Sequence, residues 1–343
     1  MMTQFDLTED QRAIQDMAAK FTADAITPFA AEWDEKHIFP RDTIKAAAEL
    51  GFGAIYVSEE SGGIGLGRLE AALIMEAMAY GCPATSAFIS IHNMAAWMID
   101  SFGSEDLKSR YLPSLITMDK IASYCLTEPG SGSDAAALKT TARLEGDHYV
   151  VSGTKQFISG AGENEVYVVM VRTGDAGAKG ISCLVIDKDM PGVSFGAQEK
   201  KLGWHAQPTA QLILEEVRVP VANRVGEEGD GFKFAMAGLD GGRLNIGACS
   251  LGGAQRCLDE AIRYTQERQQ FGKPIGKFQA IQHQLSVMSE HVFASRMAAQ
   301  LAFDSAGLQP DLLRSAIAKA RASEAALEVA AQSHAIHGAI GFT

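Results

Sequence analysis

Between residues 121 and 220 the apolar side chains stop recurring every three or four positions and fall into short β-rich runs bounded by glycine or aspartate. Residues 148–151, 166–171, 181–186, 209–214 and 217–219 are such runs. No long helical pattern separates them, so crossover helices are excluded and a small antiparallel sandwich or barrel is expected. The rest of the chain must fold around that block.

On both sides the period is helical. Before the block, Thr8 and Gln11 form a capping box, a hydroxyl at the cap and an amide three residues on. Leu69, Ala72, Leu73, Glu76, Ala77 and Tyr80 share one face at 3.6 spacing. Glycine-rich residues 62–67 read as a loop, and Ser104 caps a short helix before Pro113, with Glu105 and Asp106 in its first turn. After a polar linker at 225–231, Leu244, Ala248, Leu251, Ala254, Leu258 and Ala261 form one apolar stripe. Residues 278–304 and 311–336 continue at helix period, with many alanines that permit close packing. Long helices joined by short loops indicate an up-and-down bundle. The expected class is mainly α with a β domain: an N-terminal helical domain at 1–120, a middle β domain at 121–226, and a C-terminal helical bundle at 227–343.

Composition narrows the function classes. Of 343 residues 47% are apolar, and the formal net charge is −12. That argues against a nucleic-acid surface, which needs a basic face. Five cysteines, an odd number with no C-x-x-C pair, read as packing residues of a reducing compartment. The eight histidines show no metal spacing; His334 and His337 lie three apart, but no third ligand recurs nearby. No basic-then-apolar leader opens the sequence and no run of 18 apolar residues occurs, so the reading is cytoplasmic, with no membrane span.

The stretch at 124–134, Tyr-Cys-Leu-Thr-Glu-Pro-Gly-Ser-Gly-Ser-Asp, joins the helical and β-rich regions. Its alternating glycines and serines offer close-approach amides and hydroxyl donors, which suit a polar, partly anionic ligand. The plainer alternative is a strand-ending turn. Gly130, Gly132 and Ala135 also match a dinucleotide fingerprint, but that turn must open a full helix and lead to a parallel strand. Here a Gly146-Asp147 turn follows too soon.

With these residues in view, the chain resembles the acyl-CoA dehydrogenase family from Phe5 nearly to Thr343. The resemblance implies that family's fold, bound FAD, and α,β-desaturation of an acyl-CoA thioester. A carboxylate removes the α-proton while hydride leaves the β-carbon for the flavin, and an electron-transfer flavoprotein takes the electrons. For the flavin it implies contacts from Tyr124, Leu126, Thr127, Gly132 and Ser133, and from Phe157, Ile158 and Ser159 in the second motif at 155–160. Phe157 stands where tryptophan is usual and Ser159 where threonine is frequent. A third motif carries Arg268, Phe271, Phe278 and Gln279, which in the family reach a neighbouring subunit's flavin and so imply a homo-oligomer, typically a tetramer. Gly338 belongs to a fourth contact, in which Ala335 and Ala339 depart from the usual glutamine and glycine. Ser133, Asp240, Gly241, Gly242 and Arg243 match substrate-contacting positions, the glycines suggesting a helix end held open for a ligand. Residues 203–252 resemble members acting on a short branched acyl-CoA. The usual catalytic glutamate is expected beyond Thr343, and Gly242 fills the alternative position for it, so no catalytic residue is assigned. A flavin-binding but inert or partner-dependent subunit, or an oxidase on the same fold, remain alternatives at this point.

Overall fold

The computed structural model describes residues 7–304 and 312–342; Phe5, Asp311 and Thr343, named above, lie outside them. Six helices come first: α1 (Glu9–Phe21), α2 (Ala30–Glu35), α3 (Arg41–Ala48), α4 (Arg68–Gly81), α5 (Pro83–Phe102) and α6 (Glu105–Ile116). Strands follow: β1 (Ala122–Cys125), β2 (Thr141–Glu145), β3 (His148–Ser159) and β4 (Val166–Arg172). Then come β5 (Ile181–Asp187), β6 (Val193–Phe195), β7 (Thr209–Pro220) and β8 (Arg224–Val225). The chain returns to helix in α7 (Gly231–Glu267), α8 (Gln279–Asp304) and α9 (Leu312–His337), with a small hairpin of β9 (Gln269–Gln270) and β10 (Lys273–Pro274) after α7. Helical N- and C-terminal regions thus flank a β domain. No helix among the described residues is long and apolar enough to cross a membrane.

The chain groups into two compact units. One comprises Met1–Ala30, Gly67–Ala87 and Arg243–Thr343; the other comprises Ala31–Leu66 and Phe88–Gly242. In the first, Thr8 caps α1 by accepting from the Gln11 amide while the Gln11 side chain accepts from Thr8, as its sequence demands. The α7 stripe closes a core in which Leu258 and Ala261 meet Met288, Val292, Val329 and Ile336 of α8 and α9. In α4 the expected apolar face is the less buried one. Ala71, Ile74, Met75, Met78 and Ala79 on its other side are fully enclosed. A helix this apolar all round is packed on several sides, and periodicity cannot rank its faces.

The second unit holds an eight-stranded sheet in the order β6-β7-β3-β2-β4-β5-β8, with β1 also on β4. Alternation along β4 separates two cores. Val166, Val168 and Met170 pack with α5 and α6 residues such as Ile99 and Leu107. Tyr167, Val169 and Val171 face Tyr149, Leu212 and Val217 of β3 and β7, so the sheet folds over itself as a sandwich. Pairing is antiparallel except that β1 and β2 both run parallel to β4. The purely antiparallel expectation fails there because the β2–β3 excursion intervenes between β1 and β4 and serves as the crossover. Helix α6 keeps Pro113 within it rather than ending before it; one hydrogen bond is forfeited near its last turn.

Candidate functional site

Strand β1 delivers the Gly/Ser loop, and a buried ion pair sets its shape. Glu128 turns inward, only 8% exposed, and Lys155 of β3 is fully enclosed. Lys155 Nζ donates to Glu128 Oε1 at 2.8 Å and to the Leu126 carbonyl at 3.2 Å. The amides of Lys139 and Thr140 donate to the same carboxylate at 2.6 and 2.9 Å. Burial opposes the charge on Glu128, but the Lys155 cation and these donors outweigh it and hold the carboxyl below its usual range. Burial pulls Lys155 down, against the attraction of Glu128. Glu128 therefore latches the loop to β3, and its side chain is spent on that contact.

The latch leaves a surface. The Thr127 carbonyl accepts from the Gln156 amide at 2.8 Å, which turns the backbone of the loop and of β3 together. Gly132 and Ser133 are exposed, and a β-carbon added at Gly130 or Gly132 would touch nothing. Neither glycine is required by the chain's own packing, so the space over them is open to a ligand. Across β3, the pairing with β7 shifts between Lys155 and Ile158. This bulge puts Phe157 at φ 58° and turns its ring outward, 62% exposed. An aromatic residue held in the left-handed region and left in solvent is strained without benefit to packing, a pattern that belongs to ligand sites. An aromatic face beside bare amides and hydroxyls suits a planar, polar ring such as a flavin.

Other expected residues fall as follows. Leu126 and Ile158 bury their side chains in the two cores, so only their backbones can face a ligand. Tyr124 turns its phenol to the Ala235 carbonyl of α7 at 3.5 Å, and burial raises its pKa. In the first unit, Arg268 starts the exposed β9–β10 hairpin, whose tip is Phe271 at φ 52° and 91% exposed. The Phe271 ring meets Phe278 edge-on at 6.0 Å, and Lys273 Nζ lies over the Phe278 ring at 4.3 Å; Gln279 opens α8. Gly338, at φ 61°, follows the last residue of α9. Asp240, Gly241, Gly242 and Arg243 occupy one turn of α7.

That turn is not a helix end, which corrects the expectation for the two glycines. Helix α7 begins at Gly231 and passes unbroken through Gly238, Gly241 and Gly242. The helix carries them despite their poor propensity. A β-carbon at Gly238 would lie 3.2 Å from the Met94 side chain, a tight fit, whereas at Gly242 the same side chain would be 3.7 Å away, an ordinary contact. The buried pair of Glu128 and Lys155 escaped sequence reading as well. A lysine in alternation with apolar strand positions was its only signal. Among the described residues no cluster of three or more metal-ligating side chains occurs. Cys125, Cys183 and Cys249 are buried thiols whose pKa values burial raises, that of Cys249 to about 12, so they are not nucleophiles at neutral pH.

Residues 8–119, 123–217 and 229–343 match the models of the acyl-CoA dehydrogenase N-terminal, middle and C-terminal domains. The mitochondrial isobutyryl-CoA dehydrogenase of Dictyostelium discoideum is 56% identical over 85% of this chain and 70% of its own length. That of Bos taurus is 48% identical over 98% of this chain and 81% of its own. A solved structure described as the electron transferring flavoprotein of Acidaminococcus fermentans, studied for flavin-based electron bifurcation, superposes with a TM-score of 0.94. It is 40% identical over 100% of this chain and 90% of that one.

Proposed function

The chain belongs to the acyl-CoA dehydrogenase family, and from that premise we propose that it desaturates a short branched acyl-CoA, isobutyryl-CoA or a close homologue, and passes the electrons to an electron-transfer flavoprotein. The observation that carries this reading is the outward Phe157 of the β3 bulge, on the strand that Lys155 and Gln156 tie to the loop whose glycines at 130 and 132 stand open. When bound there, FAD supplies the two-electron acceptor for the hydride leaving the β-carbon. The protein's part is to hold and orient. Amides of Leu126, Thr127 and Gly132 with the Ser133 and Ser159 hydroxyls would bind the polar edge, Ile158 would add its backbone, and Phe157 would lie against the ring. Such preorganised dipoles stabilise negative charge developing on the acceptor. Tyr124, in β1 just before the loop, braces it through its hydroxyl on the Ala235 carbonyl of α7. Ser133, Asp240, Gly241, Gly242 and Arg243 would orient the acyl-CoA. Gly242 has no side chain to remove the α-proton, and Glu128 is committed to Lys155, so neither is assigned as base. The segments 1–120, 121–226 and 227–343 are taken as the parts that divide this work.

Purified protein is expected to be yellow and to release FAD on denaturation. Isobutyryl-, butyryl-, isovaleryl- and octanoyl-CoA should then be compared by flavin bleaching. A pocket separates acyl chains differing by one methylene by only about 1–3 kcal/mol, so the ordering rather than absolute selectivity is diagnostic. Best bleaching by the octanoyl ester would overturn the substrate assignment; a colourless protein that takes up no FAD would overturn the whole reading.

The active form is taken to be a homo-oligomer, a tetramer in the simplest case. The support is the hairpin carrying Arg268 and Phe271, a guanidinium and a bare aromatic ring held away from the core of their own unit. Arg268→Ala is expected to weaken FAD retention by about 1.5–3 kcal/mol, the worth of a charge-assisted hydrogen bond. Sedimentation of a monomer with a full complement of FAD would exclude a contact across subunits. The five free cysteines, four of them buried, support a reducing, cytoplasmic setting.

A further inference from the structure

We propose that Gln207 is a positioning residue that fixes the Ser159 hydroxyl as a donor toward the cofactor, an inference that rests on the flavin reading above. Gln207 lies on the loop before β7 and is only 5% exposed. Its Nε2 donates to Ser159 Oγ at 2.6 Å. An amide nitrogen can only donate, so the Ser159 oxygen accepts and its own proton points away from Gln207. No group among the described residues takes that proton. On the backbone side Ser159 is equally fixed, since its carbonyl accepts from Ser123 Oγ at 2.7 Å, and that oxygen accepts from Asn164 Nδ2 at 2.9 Å. The hydroxyl therefore has one free property, an outward O–H, two residues along β3 from the exposed Phe157 ring.

A purely structural role does not account for Gln207. Its Oε1 is buried and has no partner among the described residues. Gln207 is among the residues around a polar cavity of about 380 Å³, with His37, Gln198 and His205, and belongs to no apolar core among the described residues. Methionine has a similar length and would leave no orphaned acceptor, so what the amide contributes is the donor at Ser159. The Gln207 backbone is anchored apart from this, its amide donating to the Trp204 carbonyl at 3.1 Å and its carbonyl accepting from Lys201 Nζ. Position and side-chain chemistry can thus be separated by substitution.

A double-mutant cycle of Gln207→Met and Ser159→Ala tests the assignment, read by FAD titration into apoprotein and by the midpoint potential of the bound flavin. Gln207→Met should weaken FAD binding about 2–10-fold, the loss of one oriented hydrogen bond, and move the potential to more negative values. In the Ser159→Ala background the same substitution should change neither. An unchanged or tighter FAD affinity in Gln207→Met, or an equal effect with and without Ser159, overturns the proposal. So does a Ser159→Ala variant that binds FAD as well as the wild type, a result that does not depend on Gln207→Met folding. Wild-type protein that takes up no FAD would instead remove the flavin reading, and this assignment with it.

Discussion

Lys155→Met is expected to lower the unfolding free energy by about 3–5 kcal/mol, measured as a fall in the urea midpoint at pH 7. The side chain is fully enclosed and makes one ion pair, so its loss leaves the Glu128 carboxylate buried with two backbone amides and no cation. Glu128→Gln should cost a similar amount by leaving the ammonium stranded. Replacing both by apolar residues should recover much of the loss, because the pair's attraction is largely cancelled by the desolvation of two charges. The function of the pair is then positional: it ties the loop at 126–128 to the strand that carries Phe157 and Ser159. Both single variants should also lose FAD more readily. A change under about 1 kcal/mol, the scale of an exposed pair, would show that the latch does not hold the loop.

The second large effect is an acid lability centred on His92. Its Nδ1 accepts from the Ala122 amide at 3.0 Å, so Nε2 carries the proton and donates to the Leu115 carbonyl, also at 3.0 Å. A second proton would place an N–H against the Ala122 N–H, at the start of β1. Burial, which strongly disfavours the cation, lowers the pKa from its ordinary 6.5 to about 4, although the carbonyl contacts raise it. The folded pKa is depressed, so the unfolded chain binds the proton first. The stabilisation is complete above about pH 6.5 and is lost as the pH falls toward 4, by about 3 kcal/mol in all. Glu128, also held below its usual range, withdraws its share only at lower pH: its stabilisation is present above the ordinary glutamate value of 4.5 and is lost as the pH falls from there through its folded pKa. Urea unfolding of wild type and His92→Gln between pH 7 and 4 separates the two. Parallel curves over pH 6.5–4 would show that His92 is not the group responsible.

How much of this was legible beforehand follows from the range over which each signal acts. The capping box at Thr8 and Gln11, the stripe from Leu244 to Ala261, and the runs that became β3, β4 and β5 are set by neighbours within a few residues. They could be read directly from spacing and propensity. So could the character of the loop at 124–134, because glycines and serines declare their conformational freedom and donors wherever they fall. The resemblance supplied the cofactor and the reaction on top of that; no periodicity would have done so.

What waited for the tertiary structure is pairing over long separations. The sequence holds a glutamate at 128 and a lysine at 155, but only folding takes both out of water and makes each the other's counter-charge. A glutamine at 207 looks like a surface residue until the β6–β7 loop brings it under Ser159. Phe157 is named by the resemblance as a flavin contact, but only the bulge against β7 shows how a strand aromatic comes to face outward. Gly241 and Gly242 look like a helix end until α7 is seen to begin at Gly231 and run unbroken through them. Local propensity determines which elements form. Desolvation and hydrogen-bond pairing, which exist only between elements, determine which side chains become the site.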